Sequence, residues 1–260
     1  MPRRKWNPNA IATMLADLEG LYGSSRFIPR FSPMDELVSC MLSQHTTDVN
    51  SFPAFTRLLE RFGTYEMIAR APVDTIAETI RGAGLANSKA KHLRATLGQI
   101  GERFGEITLE PLRWFRTEAA RDWLTELPGV GPKTASIVLC FAFGRESIPV
   151  DTHVFRVGWR LGLFPERMGE VRAHDALLKL VPAEHAFAFH TLLIQHGRMT
   201  CRAPLPNCER CPLTDRCAYW RSDGPGKRAR ALARSRKRSA AKRPAANRSA
   251  SREQGRSATP

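Results

Sequence analysis

The sequence predicts an all-α protein with short connections, and three observations support this fold class. Apolar residues recur at spacings of three and four between residues 11 and 196, which is the period of an amphipathic helix. Helix-starting residues precede these runs, as in Ser32-Pro33-Met34-Asp35, where Ser caps and Pro fits the first turn. No stretch alternates apolar and polar residues for long enough to predict a sheet.

The same pattern places the individual helices. One helix begins after Ser32, and another begins at Thr47-Asp48 and ends at Gly63. Further helices are predicted at 11–21, 73–81, 88–103, 116–127, 132–143, 152–162, 170–180 and 183–196. Hydrophobic residues make up 42% of the 260 residues, which is enough for a sizeable core.

Positive charge is concentrated at the C-terminal end. Residues 221–260 contain 13 Lys and Arg against 2 Asp and Glu, whereas the other 220 residues contain 27 against 23. The segment is rich in Ala, Arg, Ser and Pro, so it cannot bury enough apolar surface to offset its chain entropy. We expect 221–260 to be a disordered basic tail that binds a nucleic acid, DNA or RNA, rather than only a solubilising segment.

Composition also excludes several classes of protein. The chain has no apolar run of about 18 residues, so no membrane-spanning helix is expected. No apolar segment follows the basic residues at its start, so a secretory signal is not expected. We therefore expect a monomer of the cytoplasm, at the nucleoid if the chain is bacterial, with its six cysteines reduced.

A glycine-containing turn separates two predicted helices at Leu127-Pro128-Gly129-Val130-Gly131-Pro132-Lys133. Its backbone N–H groups can point outward beside the start of the next helix and bind a phosphate. An ordinary helix connection is the alternative interpretation. The helix dipole disfavours the ammonium form of Lys133, and partial burial would act in the same direction. A neutral amine there is a nucleophile that can form a Schiff base with a sugar carbon.

A carboxylate begins a further helix at Val150-Asp151-Thr152-His153. Asp151 is well placed to cap the helix that follows, and a capping carboxylate can also face a developing cation in a substrate. The sequence does not separate these two roles. A helix rises about 1.5 Å per residue, so Asp151 lies near Lys133 only if the connection at 144–149 returns toward the turn.

Four cysteines lie within 17 residues, with the spacing Cys201-x6-Cys208-x2-Cys211-x5-Cys217. Their ligand would be a tetrahedral zinc ion or a [4Fe–4S] cluster. Zinc sites usually pair cysteines in two close C-x2–4-C units, and this segment has one such pair, which favours the cluster. Cys40 and Cys140 lie in apolar helices and are interpreted as buried packing residues.

Taken together, these motifs and their order resemble endonuclease III, the helix–hairpin–helix DNA glycosylase family that carries a [4Fe–4S] cluster. The resemblance covers about residues 9 to 220. The segments that carry it are Leu127–Ala135 with Lys133, Val150–Arg156, His196-Gly197-Arg198, the four cysteines, Leu42–Asp48 and Gly84–Ala90.

The resemblance implies two helical domains with DNA in the cleft between them. Residues 26–145 would form a six-helix barrel that contains the hairpin. Residues 1–25 and 146–220 would together form the second domain. The [4Fe–4S] cluster would be held there by Cys201, Cys208, Cys211 and Cys217.

The resemblance also implies base excision repair of double-stranded DNA, with removal of oxidised pyrimidines followed by strand cleavage 3′ to the lesion. Lys133 would attack the anomeric carbon, and Asp151 would assist base loss and later proton transfers. The hairpin residues Gly129, Val130 and Gly131 would bind DNA. Leu85 would insert into the duplex and help offset the cost of unstacking the lesion; a buried loop leucine is the alternative.

The sequence departs from the family pattern near the reacting groups. His45 stands where the family often has a Gln that fills the space left by the extruded base, and Gln44 is one residue earlier. This puts the opposite-base preference and the lesion range in doubt. Pro132 replaces a frequent Arg, and Arg202 is the one basic residue between Cys201 and Cys208.

Three alternatives remain open at this point. An adenine-specific mismatch glycosylase shares the cysteine spacing but typically lacks the hairpin lysine and has a further C-terminal domain. A non-catalytic DNA-binding module with structural zinc does not account for Lys133 together with Asp151. An RNA-binding factor that uses its basic tail is the third.

Overall fold

The computed structural model of the chain describes residues 6–230 and residue 233. Within these residues the fold is all-α, as predicted, and contains no strand. Short 3-10 turns lie between several α-helices. Besides a helical segment at 224–230, the α-helices of this part are α1 Pro8–Tyr22, α2 Pro33–Ser43, α3 Asp48–Phe62, α4 Tyr65–Arg70, α5 Val73–Thr79, α6 Ala86–Phe104, α7 Thr117–Thr125, α8 Pro132–Phe141, α9 Thr152–Leu161, α10 Glu170–Leu178, α11 Ala186–Met199 and α12 Ala218–Arg221.

The helices predicted from apolar spacing all occur, with ends within about three residues of those expected. The Ser32 hydroxyl caps α2 by accepting a hydrogen bond from the Asp35 N–H at 3.2 Å. Helix α4 was not predicted, because its six residues are too few to show a helical period. The signal that marks it is Thr64, whose hydroxyl accepts a hydrogen bond from the Met67 N–H at 3.3 Å.

A first hydrophobic core is built around α2. The apolar residues predicted on its buried face, Leu37, Val38, Met41 and Leu42, are at most 3% exposed. They pack with apolar side chains of α3, α5, α6, α7 and α8. Since burial of such side chains is the main stabilising contribution to folding, α2 is the organising helix of this half of the molecule.

A second hydrophobic core combines the beginning of the chain with its later part. Residues Ile11, Met14 and Leu18 of α1 are fully buried. They belong to the same core as apolar residues of α9, α10 and α11. The four-cysteine segment closes this core, because Leu213 and Cys217 are part of it.

Helix α8 belongs to the first core and meets the second core along one side. The Phe141 ring contacts His190 of α11 edge-on, with centroids 5.3 Å apart. The Ser136 hydroxyl lies 2.9 Å from Nε2 of His174 on α10. Helix α8 therefore lies at the boundary between the two cores.

The predicted tail begins inside the described part of the chain. Residues 224–230 are helical rather than disordered. The Asp223 carbonyl accepts a hydrogen bond from the Lys227 N–H at 3.0 Å, and Arg230 pairs with the Asp223 carboxylate at 2.7 Å, which supports a local helical turn. The rest of the predicted tail lies outside the described residues. In the part of the chain that the structure describes, no helix has the length and hydrophobicity needed to cross a membrane.

Candidate active site and four-cysteine site

The hairpin before α8 is packed tightly against α6. Gly129 has a φ of +76°, and a Cβ atom at this position would lie 2.9 Å from the Cβ atom of His92. Both the left-handed backbone and the close contact require glycine here. The Thr96 hydroxyl donates to the Pro128 carbonyl at 2.7 Å, and Val130 is buried at 5% exposure. The turn is thus held by packing as well as by its own backbone.

Unpaired N–H groups lie at this turn and at the start of α8. Within the described part of the chain, the amides of Gly129, Gly131, Lys133 and Thr134 donate no hydrogen bond. The first N–H groups of a helix have no partner inside the helix, and the positive end of its dipole lies there. The geometry therefore suits an anion, as predicted for a phosphate.

Lys133 lies in the first turn of α8 and is exposed. The partial burial expected from the sequence is wrong, because this turn emerges at the mouth of a cleft and Pro132 beside it is exposed too. The cleft, of about 610 Å³, is lined by Gln44, Gly129, Lys133 and Val150 among others. Lys133 is therefore accessible to a large ligand at the boundary between the cores.

The connection between α8 and α9 does return toward the hairpin. Val150 lines the same cleft as Lys133, and Asp151 follows it as the first residue before α9. Asp151 caps α9 as predicted: its Oδ1 accepts hydrogen bonds from the N–H groups of His153 at 2.9 Å and Val154 at 2.7 Å. Both bonds go to Oδ1, so Oδ2 is not needed for the cap.

His190 lies close to both groups. Burial lowers the pKa of His190 to about 4, although its hydrogen bond to the Pro149 carbonyl and the charge of Asp151 act in the opposite direction. The positive charges of Lys133 and Arg30 add to the lowering. The charges of Lys133 and Asp151 therefore act in opposite directions on the pKa of the same buried imidazole.

Sequence analysis missed the charged residues that face Lys133 across the cleft. Asp122 comes from α7, and Glu170, His174 and Asp175 come from α10. In the sequence these residues resemble the ordinary polar face of an amphipathic helix. The packing of both α7 and α10 beside α8 brings them to the cleft, so no local signal could have identified them.

A second cavity of about 700 Å³ lies between the two cores. Ser39 and Ser43 of α2, Ile137 and Phe141 of α8, and Gln195 of α11 contribute to its wall. It combines aromatic and aliphatic surface with many polar side chains, so it can both stack and hydrogen-bond a ligand. The cavity was not identified from the sequence, because its residues come from four helices, α2, α3, α8 and α11, and from the segment before α2.

Gln44 and His45 were the two candidates to fill the space left by an extruded base. They differ in the structure in their hydrogen bonds and in their exposure. The Gln44 side chain donates to the Gly129 carbonyl at 2.9 Å and to the Thr134 hydroxyl at 3.2 Å. His45 is exposed and has a left-handed φ of 54°. Leu85 is also left-handed, at φ 49°, and is 62% exposed rather than buried.

The four predicted ligand cysteines line one cavity. Its wall is almost entirely apolar, with Val157, Leu161 and Pro206 contributing beside the thiols. Burial raises the pKa of Cys208 to about 11 and that of Cys211 to about 12, and the neighbouring cysteines add to both shifts. Four thiolates at this place therefore need a positively charged group between them.

The chemistry of the donor set fits both candidate ligands. A zinc ion and a [4Fe–4S] cluster can each be held by four thiolates. The single close pair in the sequence, Cys208 and Cys211, remains the feature that favours the cluster.

Two arginines of α9 hold the cysteine segment in place. Arg156 donates to the Cys201 carbonyl at 3.0 Å and to the Gly197 carbonyl at 2.8 Å. Arg160 is 5% exposed and donates to the Arg202 carbonyl at 2.9 Å, with its guanidinium 3.4 Å from the Cys201 sulfur. Cys40 and Cys140 are buried, as predicted, and lie apart from this cavity.

Comparison with known proteins agrees with this geometry. The model of the HhH-GPD superfamily of base excision DNA repair proteins matches residues 38–183, which include the second half of α2, the hairpin and Asp151. The fold and site therefore define a base excision DNA repair enzyme. Endonuclease III of Escherichia coli K12 is 38% identical over 189 residues, 72% of this chain and 84% of that protein. Endonuclease III of Sulfolobus acidocaldarius is 34% identical over 186 residues, 71% and 81% of the two chains.

The chain belongs to the endonuclease III family. A solved non-covalent complex of endonuclease III with DNA superimposes with a TM-score of 0.71 at 28% identity, covering 84% of this chain and 99% of that chain. A trapped covalent intermediate of endonuclease III with DNA gives a TM-score of 0.70 at the same identity. The predicted family, fold class and enzyme class, a DNA glycosylase of base excision repair, are confirmed.

We expect stability to fall as the pH decreases from about 6.5 toward 4, because unfolded His190 takes up a proton that the buried imidazole resists. A folded-state pKa below the unfolded value means that this contribution is present above pH 6.5 and lost below it. Thermal unfolding of His190→Gln between pH 7 and pH 4 should show a smaller loss than the wild type. His185→Gln, a partly exposed histidine away from the hairpin, is the control; an equal pH dependence of all three proteins would contradict the assignment.

Proposed function

We propose that the chain is a bifunctional enzyme that removes oxidised pyrimidines from double-stranded DNA and cleaves the strand at the resulting abasic site. The observation that carries this proposal is the position of Lys133, an accessible amine beside unpaired N–H groups, on a cleft to which the connection before Asp151 returns. The proposed catalytic pair draws one residue from each side of the boundary between the cores.

Binding of the DNA phosphate backbone is assigned to the hairpin residues Gly129, Val130 and Gly131. A phosphate beside the start of α8 accepts hydrogen bonds from the free amides there and is stabilised by the helix dipole. Such contacts fix the register of the strand without reading its sequence. The sugar to be attacked is thereby placed within reach of Lys133.

In the proposed reaction, the Lys133 nitrogen bonds to C1′ of the damaged nucleotide and the bond from C1′ to the base breaks. The base leaves with the electron pair and a proton. Ring opening and loss of the amine proton give a Schiff base, and removal of a C2′ proton expels the 3′ phosphate by β-elimination. Water then releases the sugar from Lys133. Oδ2 of Asp151 is the proposed proton acceptor and donor, while Oδ1 maintains the helix cap.

Duplex opening is assigned to the two exposed loops near the cleft. Leu85 would insert between bases, and apolar wedges of this kind offset the cost of unstacking. His45 is the proposed residue for the space left by the extruded base, because the Gln44 side chain is already bonded to the hairpin. The cavity between α2, α8 and α11 is the proposed receptor for the base.

We also propose a [4Fe–4S] cluster bound by Cys201, Cys208, Cys211 and Cys217. The support is the apolar cavity that all four thiols line, together with their spacing in the sequence. When bound, the cluster would cross-link the cysteine segment to the second core. The chain itself contributes Arg156 and Arg160, which orient the segment through its carbonyl groups.

The proposal also covers the domain division, the oligomeric state, the location of the enzyme and its basic tail. We propose that the two hydrophobic cores correspond to two domains, with residues 26–145 forming one and residues 1–25 and 146–220 the other. The enzyme would act as a monomer on chromosomal DNA, at the cytoplasmic nucleoid if the chain is bacterial. The basic tail, most of which lies outside the described residues, would add sequence-independent affinity for phosphates.

Borohydride should trap a covalent complex between the wild-type protein and duplex DNA that contains an abasic site or an oxidised pyrimidine. Lys133→Ala should abolish trapping while binding is retained, because the Schiff base needs this amine. Trapping is measured as a shifted band on a denaturing gel. The exposed Lys179→Ala is the matched control and should trap normally; full trapping by Lys133→Ala would disprove the assignment of the nucleophile.

Asp151→Asn should slow base removal at least about a hundredfold, because the amide cannot exchange protons with the substrate. Asn is as good a helix cap as Asp, so the melting temperature should change little. Single-turnover release of the base and binding to the same duplex are measured in parallel. If turnover is unchanged, Asp151 acts only as a cap.

Purified protein should be brown and contain about four iron and four sulfide ions per chain. Cys201→Ser should lower the iron content, because one of the four ligands is lost. Cys140→Ala removes a buried thiol outside the cavity and should retain full iron. A colourless protein with about one zinc ion per chain would contradict the cluster.

A further inference from the structure

Lys89 is a buried lysine to which the proposed reaction assigns no role. It lies in the first turn of α6 and is 7% exposed. Burial of an ammonium group is costly, and desolvation lowers the pKa of Lys89. The first turn of a helix is also the unfavourable end for a cation. The stability of α6 therefore does not explain a lysine at this position.

The Lys89 ammonium instead joins two segments that are distant in sequence. Its Nζ donates to the Leu42 carbonyl at 2.7 Å and to the Ala83 carbonyl at 2.8 Å. Leu42 lies in the last turn of α2, where the helix dipole is negative and favours a cation. Ala83 ends a 3-10 turn directly before Gly84. Both acceptors are carbonyls at the ends of helical segments, which otherwise lack partners.

Each of these segments leads into one of the two exposed loops. Leu42 precedes His45 by three residues, and Ala83 precedes Leu85 by two. His45 and Leu85 both have left-handed backbones, at φ 54° and 49°. Such conformations cost energy in residues other than glycine and persist only where the surroundings hold them.

Lys89 also contacts the second loop through its backbone. Its N–H donates to the Leu85 carbonyl at 3.0 Å. One residue thus fixes Leu85 through the main chain, the preceding residues through Ala83, and the start of the His45 loop through Leu42. The two loops are held at a set distance by a single side chain, and no ion pair competes for it among the described residues.

We propose that Lys89 is a positioning residue that sets the separation of the His45 and Leu85 loops so that both enter the duplex together. The inference rests on the proposed function of these loops. Lys89 would act on opening of the duplex and not on the chemistry at Lys133. Loss of its ammonium group should therefore lower the reaction rate most on the substrates that require the most unstacking.

The test compares two substrates for each variant. One is a duplex with an oxidised pyrimidine, which must be opened, and the other is a single-stranded oligonucleotide with an abasic site, which needs no opening. Lys89→Met keeps the length of the side chain and removes its donors. Lys91→Met removes the same charge from the exposed face of the same helix and is the control. Lys89→Arg retains charge and donors.

We expect Lys89→Met to lower the rate on the duplex about tenfold while cleavage of the single strand stays within about twofold of the wild type. The fluorescence increase of 2-aminopurine placed beside the lesion, which reports unstacking on binding, should fall in parallel. Lys91→Met should match the wild type, and Lys89→Arg should recover most of the duplex activity.

Equal losses on both substrates would show a general structural role and overturn the inference, as would no loss on either. If circular dichroism shows that Lys89→Met is unfolded, Lys89→Gln, which keeps one donor group, replaces it with the same expected selectivity. Failure of the proposed function is distinguishable, because the wild-type protein would then cleave neither substrate.

Discussion

The close contact of the hairpin with α6 is the constraint on which the site depends. Gly129 packs so near to His92 that a Cβ atom does not fit, and its carbonyl accepts a hydrogen bond from Gln44 at 2.9 Å. The Thr96 hydroxyl holds the neighbouring Pro128 carbonyl. Because the turn is fixed from the end of α2 and from α6 at once, its free N–H groups are held in one orientation before any ligand arrives. Preorganised donors of this kind are effective because they need no rearrangement during reaction.

Helix α9 connects the two functional regions of the second core. The Asp151 carboxylate caps the start of α9, and the preceding residue Val150 lines the cleft. The later turns of α9 carry Arg156 and Arg160. These arginines bond to carbonyls of the cysteine segment. A group that fixes the cysteine segment therefore also restrains the helix that presents the carboxylate. This gives the four cysteines a physical connection to the proposed catalytic carboxylate.

The sequence by itself determined the fold class, the helices and the motifs. Apolar spacing identified the buried face of α2, and the residues Ser32, Asp151 and Gly129 were recognised because caps and glycine turns depend on local geometry. The short helix α4 was not predicted, because six residues are too few to show the helical period of apolar residues. The family followed from the order and spacing of motifs, which are properties of the chain.

Which residues meet depends on the packing of the helices. The packing of α10 beside α8 brings His174 to the cleft, and four helices, α2, α3, α8 and α11, line the second cavity. The same packing shows that Lys133 is exposed, that Gln44 is committed to the hairpin while His45 is free, and that Lys89 joins two loops. These facts depend on side chains that are far apart in sequence, and a helical period specifies which face is buried but not what lies against it.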